Sequence, residues 1–291
     1  MISRRAELRD ALTEKSFGAR VIRPSESNKR KMETKRFANK VVVVTGASRG
    51  IGQAIAIAFA REGAKVVGVA RSDLSGTASQ VKTAGGEFVA VNADLCKTTQ
   101  KMAADLVARI LKQTGRIDAL VNNAGIIRRA PAVDFSEADW NEVLQTNLSA
   151  PFFLCQAVAK WWLTSGRGKS SADARLKIVN IASMLSFQGG ITVVAYAASK
   201  HGVAGFTKAL ANEWAKERIN VNAIAPGYIA TENTKALRED ARRNQAILDR
   251  IPEGRWGRPE DIAGGCVFLA SPEADYLNGA VINIDGGWLG R

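Results

Sequence analysis

The chain has 291 residues, 46% of them hydrophobic, and a formal net charge of +13. That length suits one large α/β domain better than two small ones, and no apolar run approaches the ~18 residues a membrane span needs. A single histidine, His201, and three scattered cysteines, Cys96, Cys155 and Cys266, argue against a Ser-His-Asp triad, a zinc site and a disulfide framework, so no metal and a reducing intracellular setting are expected.

The charge is uneven: residues 1–40 carry +7 and the remaining 251 carry +6. A basic tail can bind nucleic acid or acidic lipid. Only Phe17 and Phe37 are interleaved here, so residues 1–36 read as a solvated, disordered extension, with no nucleic-acid or membrane partner. The tail is Arg-rich like a mitochondrial presequence, but Glu7, Asp10, Glu14 and Glu26 count against that reading. Met32 offers a second start just before the first strand. The expected location is therefore cytoplasmic, with a mitochondrial one as the alternative if residues 1–31 act as a presequence.

Residues 37–291 read as alternating strands and helices. Lys40 to Thr45 is a β-branched run typical of a buried parallel strand. It leads through Thr45-Gly46-Ala47-Ser48-Arg49-Gly50-Ile51-Gly52 into an apolar helix. Glycines there permit a tight turn and a close backbone approach to a pyrophosphate, which the helix N-terminus attracts. Lys65 to Ala70 is the second strand. An acid at its end would bind a ribose 2′-hydroxyl, whereas a base would accept a 2′-phosphate. Arg71 follows Ala70 and Arg49 lies in the glycine turn, so NADP is expected and NAD is the alternative. Asp73 would favour NAD if the strand ran two residues further.

A helix over Leu74 to Ala84 and a strand over Gly86 to Val91 come next, ending in Asn92-Ala93-Asp94-Leu95. Asp94 is placed either to meet an adenine amino group or to cap the next helix, which runs from Thr98 to Gln113. The strand Ile117 to Val121 runs into Asn122-Asn123-Ala124-Gly125. Beyond it, Arg128 and Arg129 could clamp a carboxylate or lie in a solvated loop. Ser136 with Asp139 opens a long predicted helix that contains Asn147, whose buried amide needs partners. Residues 164–175 look like a polar surface insertion.

The strand Leu176 to Ile181 precedes Ser183. Tyr196 and Lys200, four apart on a helix, share one face. A nearby ammonium favours the phenolate and lowers the phenol's pKa, giving an acid/base for a hydroxyl or carbonyl oxygen. A strand over Ile219 to Ile224 runs into Pro226-Gly227, and residues 232–258 read as a flap over the cleft. Asp261 to Ala270 is a helix and Ala280 to Ile284 the last strand. Seven strands alternating with helices predict one doubly wound, Rossmann-type parallel sheet.

Thr45-Gly46…Gly50…Gly52, Asn122–Gly125, Ser183, Tyr196…Lys200 and Pro226-Gly227 together resemble the short-chain dehydrogenase/reductases. The resemblance implies an NAD(P)-dependent oxidoreductase with Asn147, Ser183, Tyr196 and Lys200 as its catalytic residues. It places the cofactor against Gly46, Ser48, Arg49, Gly50, Ile51 and Gly52, then Arg71, Asp94 and Leu95. Asn123, Ala124, Gly125, Tyr196, Lys200, Pro226, Gly227, Ile229 and Thr231 complete that set. It also implies a homo-oligomer, a tetramer or a dimer. Asn122 to Arg129, Ser183 to Gly190, Ile247 to Pro252 and Gly286-Gly287-Trp288 further resemble the dehydrogenases of 2-deoxy-D-gluconate and 2-dehydro-3-deoxy-D-gluconate. A six-carbon deoxy sugar acid is then the expected substrate, held by Arg128, Arg129, Ser183, Gln188 and Tyr196. A 3-oxoacyl or other small-ketone reductase is the alternative.

Overall fold

The computed structural model describes residues 35–170 and 174–291. The expected extension lies outside them apart from Lys35 and Arg36. Seven strands form one sheet: β1 (Val41–Thr45), β2 (Lys65–Ala70), β3 (Glu87–Asn92), β4 (Ala119–Asn122), β5 (Leu176–Ile181), β6 (Ile219–Pro226) and β7 (Val281–Ile284). Every pair is parallel, in the order β3-β2-β1-β4-β5-β6-β7. Each strand falls within two residues of its predicted ends, because parallel strands buried on both faces read as unbroken apolar runs.

Side-chain alternation along β1 builds two cores. Val42 and Val44 pack with Ile55 and Phe59 of α1 (Gly50–Arg61) and with Ile262 and Cys266 of α10 (Pro259–Ala270). Val41 and Val43 pack on the other face with Leu106 and Ile110 of α3 (Gln100–Thr114), Leu154 of α5 (Ala150–Thr164) and Leu210 of α7 (Val194–Trp214). Burying each such side chain stabilises the fold by about 1.5–3 kcal/mol. Helix α2 (Ser75–Thr83) follows β2. Arg36 forks onto Glu62, at the end of α1, with Nη2–Oε1 2.7 Å.

Two expectations need correction. The long helix predicted after Ser136 is α4 (Glu137–Leu144), a π-helical turn over Gln145–Ser149, and then α5. Ser136 does cap α4, accepting from the Asp139 N–H at 3.1 Å. Pro151, at the start of α5, has no N–H to donate four residues back, so the regular helix cannot run through and the carbonyl of Asn147 lacks its usual helical donor. The second is the polar stretch at 164–175, which holds the short helix α6 (Arg167–Ser170); residues 171–173 lie outside the described residues.

The sheet order reverses between β1 and β4, where the crevice of a doubly wound sheet opens. Its two sides are stitched together. The Thr45 hydroxyl accepts from the backbone N–H groups of Asn123 and Ala124, both at 3.0 Å. The Asn123 amide donates back to the Thr45 carbonyl at 2.9 Å. Among the described residues no helix is long and apolar enough to cross a membrane.

Candidate active site

A cleft of about 340 Å³ opens at the carboxyl ends of the strands around this switch point. One wall is the glycine turn. Gly46 has φ +65°, in the left-handed region, and a Cβ on Gly52 would lie 2.1 Å from the Gly46 carbonyl oxygen. Only glycines let the turn close so tightly and leave the backbone bare. Ser48 and Ile51 line the same wall. Helix α1 begins at Gly50 with no side-chain cap and no acid in its first turn. Its first N–H groups and positive dipole end are thus left for an anion.

The outer end of the cleft is set by the close of β2. The strand stops at Ala70 as predicted, and Arg71 and Ser72 line the cleft beside Ser48 and Arg49. The Ser72 hydroxyl donates to the Ser48 hydroxyl at 2.9 Å. Asp73 is excluded from this wall: it turns back on Ser75, accepting from its N–H at 3.0 Å, and is fully exposed. No carboxylate ends β2 to repel a 2′-phosphate. Asp94 caps the 3₁₀ turn Leu95–Lys97, accepting from Cys96 N–H at 3.0 Å, whereas the expected helix α3 is capped by Thr99; Asp94 stands 4.0 Å from Arg71, and Leu95 lies beside it on the cleft wall. Asn123, Ala124 and Gly125 line the inner wall, with Pro226, Gly227, Ile229 and Thr231 opposite. The buried Thr146 hydroxyl also lines the cleft and has no partner among the described residues. A bare glycine turn, an uncapped helix start, an orphaned hydroxyl and a basic outer end fit a phosphorylated dinucleotide.

The proton-transfer groups meet at the inner end. Ser183, Tyr196 and Lys200 all line the cleft. The Ser183 oxygen accepts from Leu185 N–H at 3.1 Å, which fixes the hydroxyl beside the Tyr196 phenol. Lys200 is buried and donates to the Ile181 carbonyl at 2.6 Å, its nitrogen 5.6 Å from the Tyr196 ring centroid. Helix α7 is held by the Ser186 hydroxyl, which donates to the Lys200 carbonyl at 2.7 Å.

The expected electrostatics are redistributed. Burial pushes the Tyr196 phenol above its ordinary value, and what opposes this is the Ser183 hydrogen bond and the Arg129 charge. Lys200 flanks the ring with its ammonium aimed at the Ile181 carbonyl, and burial pushes Lys200 itself down to about 8.

Asn147 stands behind this cluster and does not line the cleft. Its side-chain oxygen accepts from Ile126 N–H and its amide donates to the Ile126 carbonyl, both at 2.9 Å. The amide also reaches Ser199 at 3.2 Å. The side chain therefore ties the loop after β4 to α7, and any relay water is left to the Asn147 carbonyl that Pro151 strips of its helical donor.

The two arginines part company, which corrects the expected pair. Arg128 turns onto α4, 2.7 Å from Glu142 and 3.3 Å from Asp139. Arg129 forms no such pair among the described residues, and burial followed by the Arg243 charge pushes its guanidinium below the ordinary value. Gln188 does not line the cleft; its oxygen accepts from the Trp288 indole at 3.3 Å. The flap holds α8 (Lys235–Glu239) and α9 (Ala241–Leu248). Glu232, Asn233 and Thr234, at its near end, line the cleft. Sequence reading passed over Thr146, Ser72 and Cys96 on the cleft wall. Thr146 adjoins Asn147, Ser72 adjoins Arg71 and Cys96 adjoins Leu95, so extending each expected residue by one would have found them.

A family profile described as enoyl-(acyl carrier protein) reductase matches residues 46–289. The 2-dehydro-3-deoxy-D-gluconate 5-dehydrogenase of Escherichia coli (strain K12) is 52% identical over 252 residues, covering 87% of this chain and 96% of that protein. The enzyme of the same name from Bacillus subtilis (strain 168) is 50% identical over 253 residues, covering 87% and 95%. A crystal structure of a candidate 2-deoxy-D-gluconate 3-dehydrogenase from Agrobacterium tumefaciens, with bound NADP, is 53% identical with a TM-score of 0.82, covering 89% of this chain and all of that one. With the seven-stranded parallel sheet and the Ser183, Tyr196 and Lys200 set at its switch point, these matches show that the chain belongs to the short-chain dehydrogenase/reductase family of NAD(P)-dependent oxidoreductases.

Proposed function

We propose that the protein interconverts a secondary hydroxyl and a ketone on a six-carbon deoxy sugar acid, with NADP as cofactor and NAD as the alternative. The observation that carries this reading is the single cleft that joins the glycine turn to Ser183, Tyr196 and Lys200. The Arg129 charge, which opposes the rise of the Tyr196 phenol, suits a substrate with a carboxylate. The dehydrogenases of sugar acids at about half identity support the same substrate class.

A nicotinamide bound in this cleft would supply the hydride acceptor for oxidation and the donor for reduction. The chain's own residues handle the proton and the orientation. In reduction the Tyr196 phenol protonates the ketone oxygen; in oxidation Tyr196 first passes its own proton to the relay and then, as phenolate, takes the proton of the substrate hydroxyl as the ketone forms. Ser183 hydrogen-bonds that oxygen. Lys200, buried with protons to donate, would hold the nicotinamide ribose hydroxyls, and the Asn147 carbonyl would hold the water that refills the proton. The α1 N-terminus and glycine turn would hold the pyrophosphate, and Arg71, Arg49, Ser48 and Ser72 the 2′-phosphate.

The same reading includes a cytoplasmic location and a homotetramer or homodimer. Phe268 on α10, which is 40% exposed, and the fully exposed Tyr276 favour burial against a second copy; light scattering on the purified protein measures the mass. Incubation of 2-deoxy-D-gluconate with NADP, followed by NMR of the product, tests the reaction. A keto sugar acid is expected; recovery of unchanged acid at high enzyme concentration contradicts the substrate assignment.

A further inference from the structure

We infer that Trp288, among the last four residues of the chain, is a positioning residue: its ring latches the flap to the segment that carries Ser183 and so fixes the gap between them. This role rests on the sugar-acid reading above for its substrate, and it gives the C-terminus a part in turnover that the proton-transfer residues do not supply. Gln188, expected to hold substrate, takes a place in this latch instead.

The tail is aimed at the flap by its own turn. The Asp285 carboxylate accepts from Gly287 N–H at 3.0 Å and from Leu289 N–H at 2.9 Å. Gly287 is left-handed, with φ +90°, and a Cβ on it would lie 2.9 Å from Pro252. Glycine therefore lets the tail lie close against the end of the flap. There the Glu253 N–H donates to the Gly286 carbonyl at 3.0 Å. Trp288 is carried inward, only 5% exposed, into one apolar cluster with Met184, Ile247 and Ile251. Met184 adjoins Ser183, whereas Ile247 and Ile251 belong to the flap.

Directional contacts hold the ring from both sides. On the Ser183 side its indole donates to Gln188 at 3.3 Å. On the flap side the Arg250 guanidinium lies over the Trp288 ring, 4.1 Å from its centroid. Tyr228 packs edge-on against Trp288 and Trp256, with centroids 4.8 and 5.4 Å away, and the Trp256 indole donates to Asn244 of α9 at 2.7 Å. Arg291 turns onto the end of α9, donating to the Asp249 and Arg250 carbonyls at 3.3 and 2.8 Å, where a cation suits the helix dipole. Helix α8 buries no residue and α9 buries only Ile247, so these tail contacts are a large share of what holds the flap. Met184, Gln188, Arg250 and Ile251 do not line the cleft that fits the dinucleotide. Losing the latch should therefore weaken the grip on substrate and spare NADP.

The test compares the wild type with Trp288→Ala, Trp288→Phe and Arg291→Ala. NADP affinity is measured by calorimetry, hydrogen exchange over residues 241–251 with NADP alone, and kinetics with 2-deoxy-D-gluconate at saturating NADP. Trp288→Ala should speed exchange over 241–251 and raise KM by about tenfold, the size of a lost cation–π contact plus part of the ring's burial, with NADP affinity within about twofold of the wild type. Trp288→Phe keeps a ring against Tyr228 and Arg250 and should recover most of the KM. Arg291→Ala removes only an exposed side chain, so it should fold and speed the same exchange by about threefold. Unchanged exchange in Trp288→Ala and Arg291→Ala overturns the latch. Faster exchange with unchanged KM, or an equal loss of NADP affinity, overturns the positioning role. Should Trp288→Ala fail to fold, Trp288→Phe and Arg291→Ala carry the comparison. If the wild type leaves 2-deoxy-D-gluconate unchanged, the sugar-acid reading fails, and the exchange comparison still decides the latch.

Discussion

The glycine turn and the flap bind different things by different means. The turn is built from backbone: buried strand ends, glycines with no room for a Cβ, and a threonine that stitches β1 to β4. The flap is built from long side chains on short helices with hardly a buried residue. The first can hold a ligand of fixed shape without moving, because its donors are fixed before binding. A fold of this kind can therefore keep one cofactor and vary its substrate by changing a few flap residues.

Tyr196 belongs to both regions, and its replacement has the largest expected effect. Tyr196→Phe should lower kcat by about a thousandfold, in the range for losing a general acid/base, while NADP affinity stays near the wild-type value. Comparable turnover in the two proteins would remove Tyr196 from the chemistry. Gly52→Ala tests the rigidity of the turn. Its Cβ would meet the Gly46 carbonyl oxygen, so a loss of about 1–3 kcal/mol in thermal stability is expected, with weakened NADP binding. An alanine variant with unchanged Tm and cofactor affinity would show the turn to be pliable.

Arg71→Glu should move the NADP-to-NAD preference in kcat/KM toward NAD by about tenfold, through a lost charge-assisted contact and a new repulsion. An unchanged ratio would shift the 2′-phosphate away from the end of β2. The smallest effect concerns pH. Burial lowers Lys200 to about 8 from an ordinary 10.5, so between those values the unfolded chain holds more protons than the folded one. Stability from this group therefore rises with pH across the window, and its burial cost is full below about 8. The Tm advantage of Lys200→Met over the wild type should shrink from pH 8 to 10.5, by on the order of 3 °C per kcal/mol relieved. A pH-independent difference would contradict the assignment.

Most of the cleft was legible because its determinants are local. A strand, a glycine turn and a helix adjoin one another in the chain, and every expected cofactor residue, from Gly46 to Thr231, lines one cavity. The strand ends were legible for the same reason, and the end of β2 at Ala70 removes Asp73 from contention. What was not legible depends on side chains meeting across the fold. Arg128 and Arg129 look equivalent side by side, yet two acids on α4 claim one of them. Asn147 reads as an ordinary helical amide until Pro151, four residues on, breaks the helix into a π turn. That Lys200 lies on the Tyr196 face follows from their spacing, but the direction of its ammonium, toward Ile181, does not.

The most direct test of the account is an initial-rate comparison of 2-deoxy-D-gluconate and a neutral secondary alcohol of similar size, each with NADP and with NAD. Rapid oxidation of the sugar acid, faster with NADP and weak for the alcohol, is the predicted result. Equal or better turnover of the neutral alcohol would leave the proton-transfer residues in place and contradict the sugar-acid assignment.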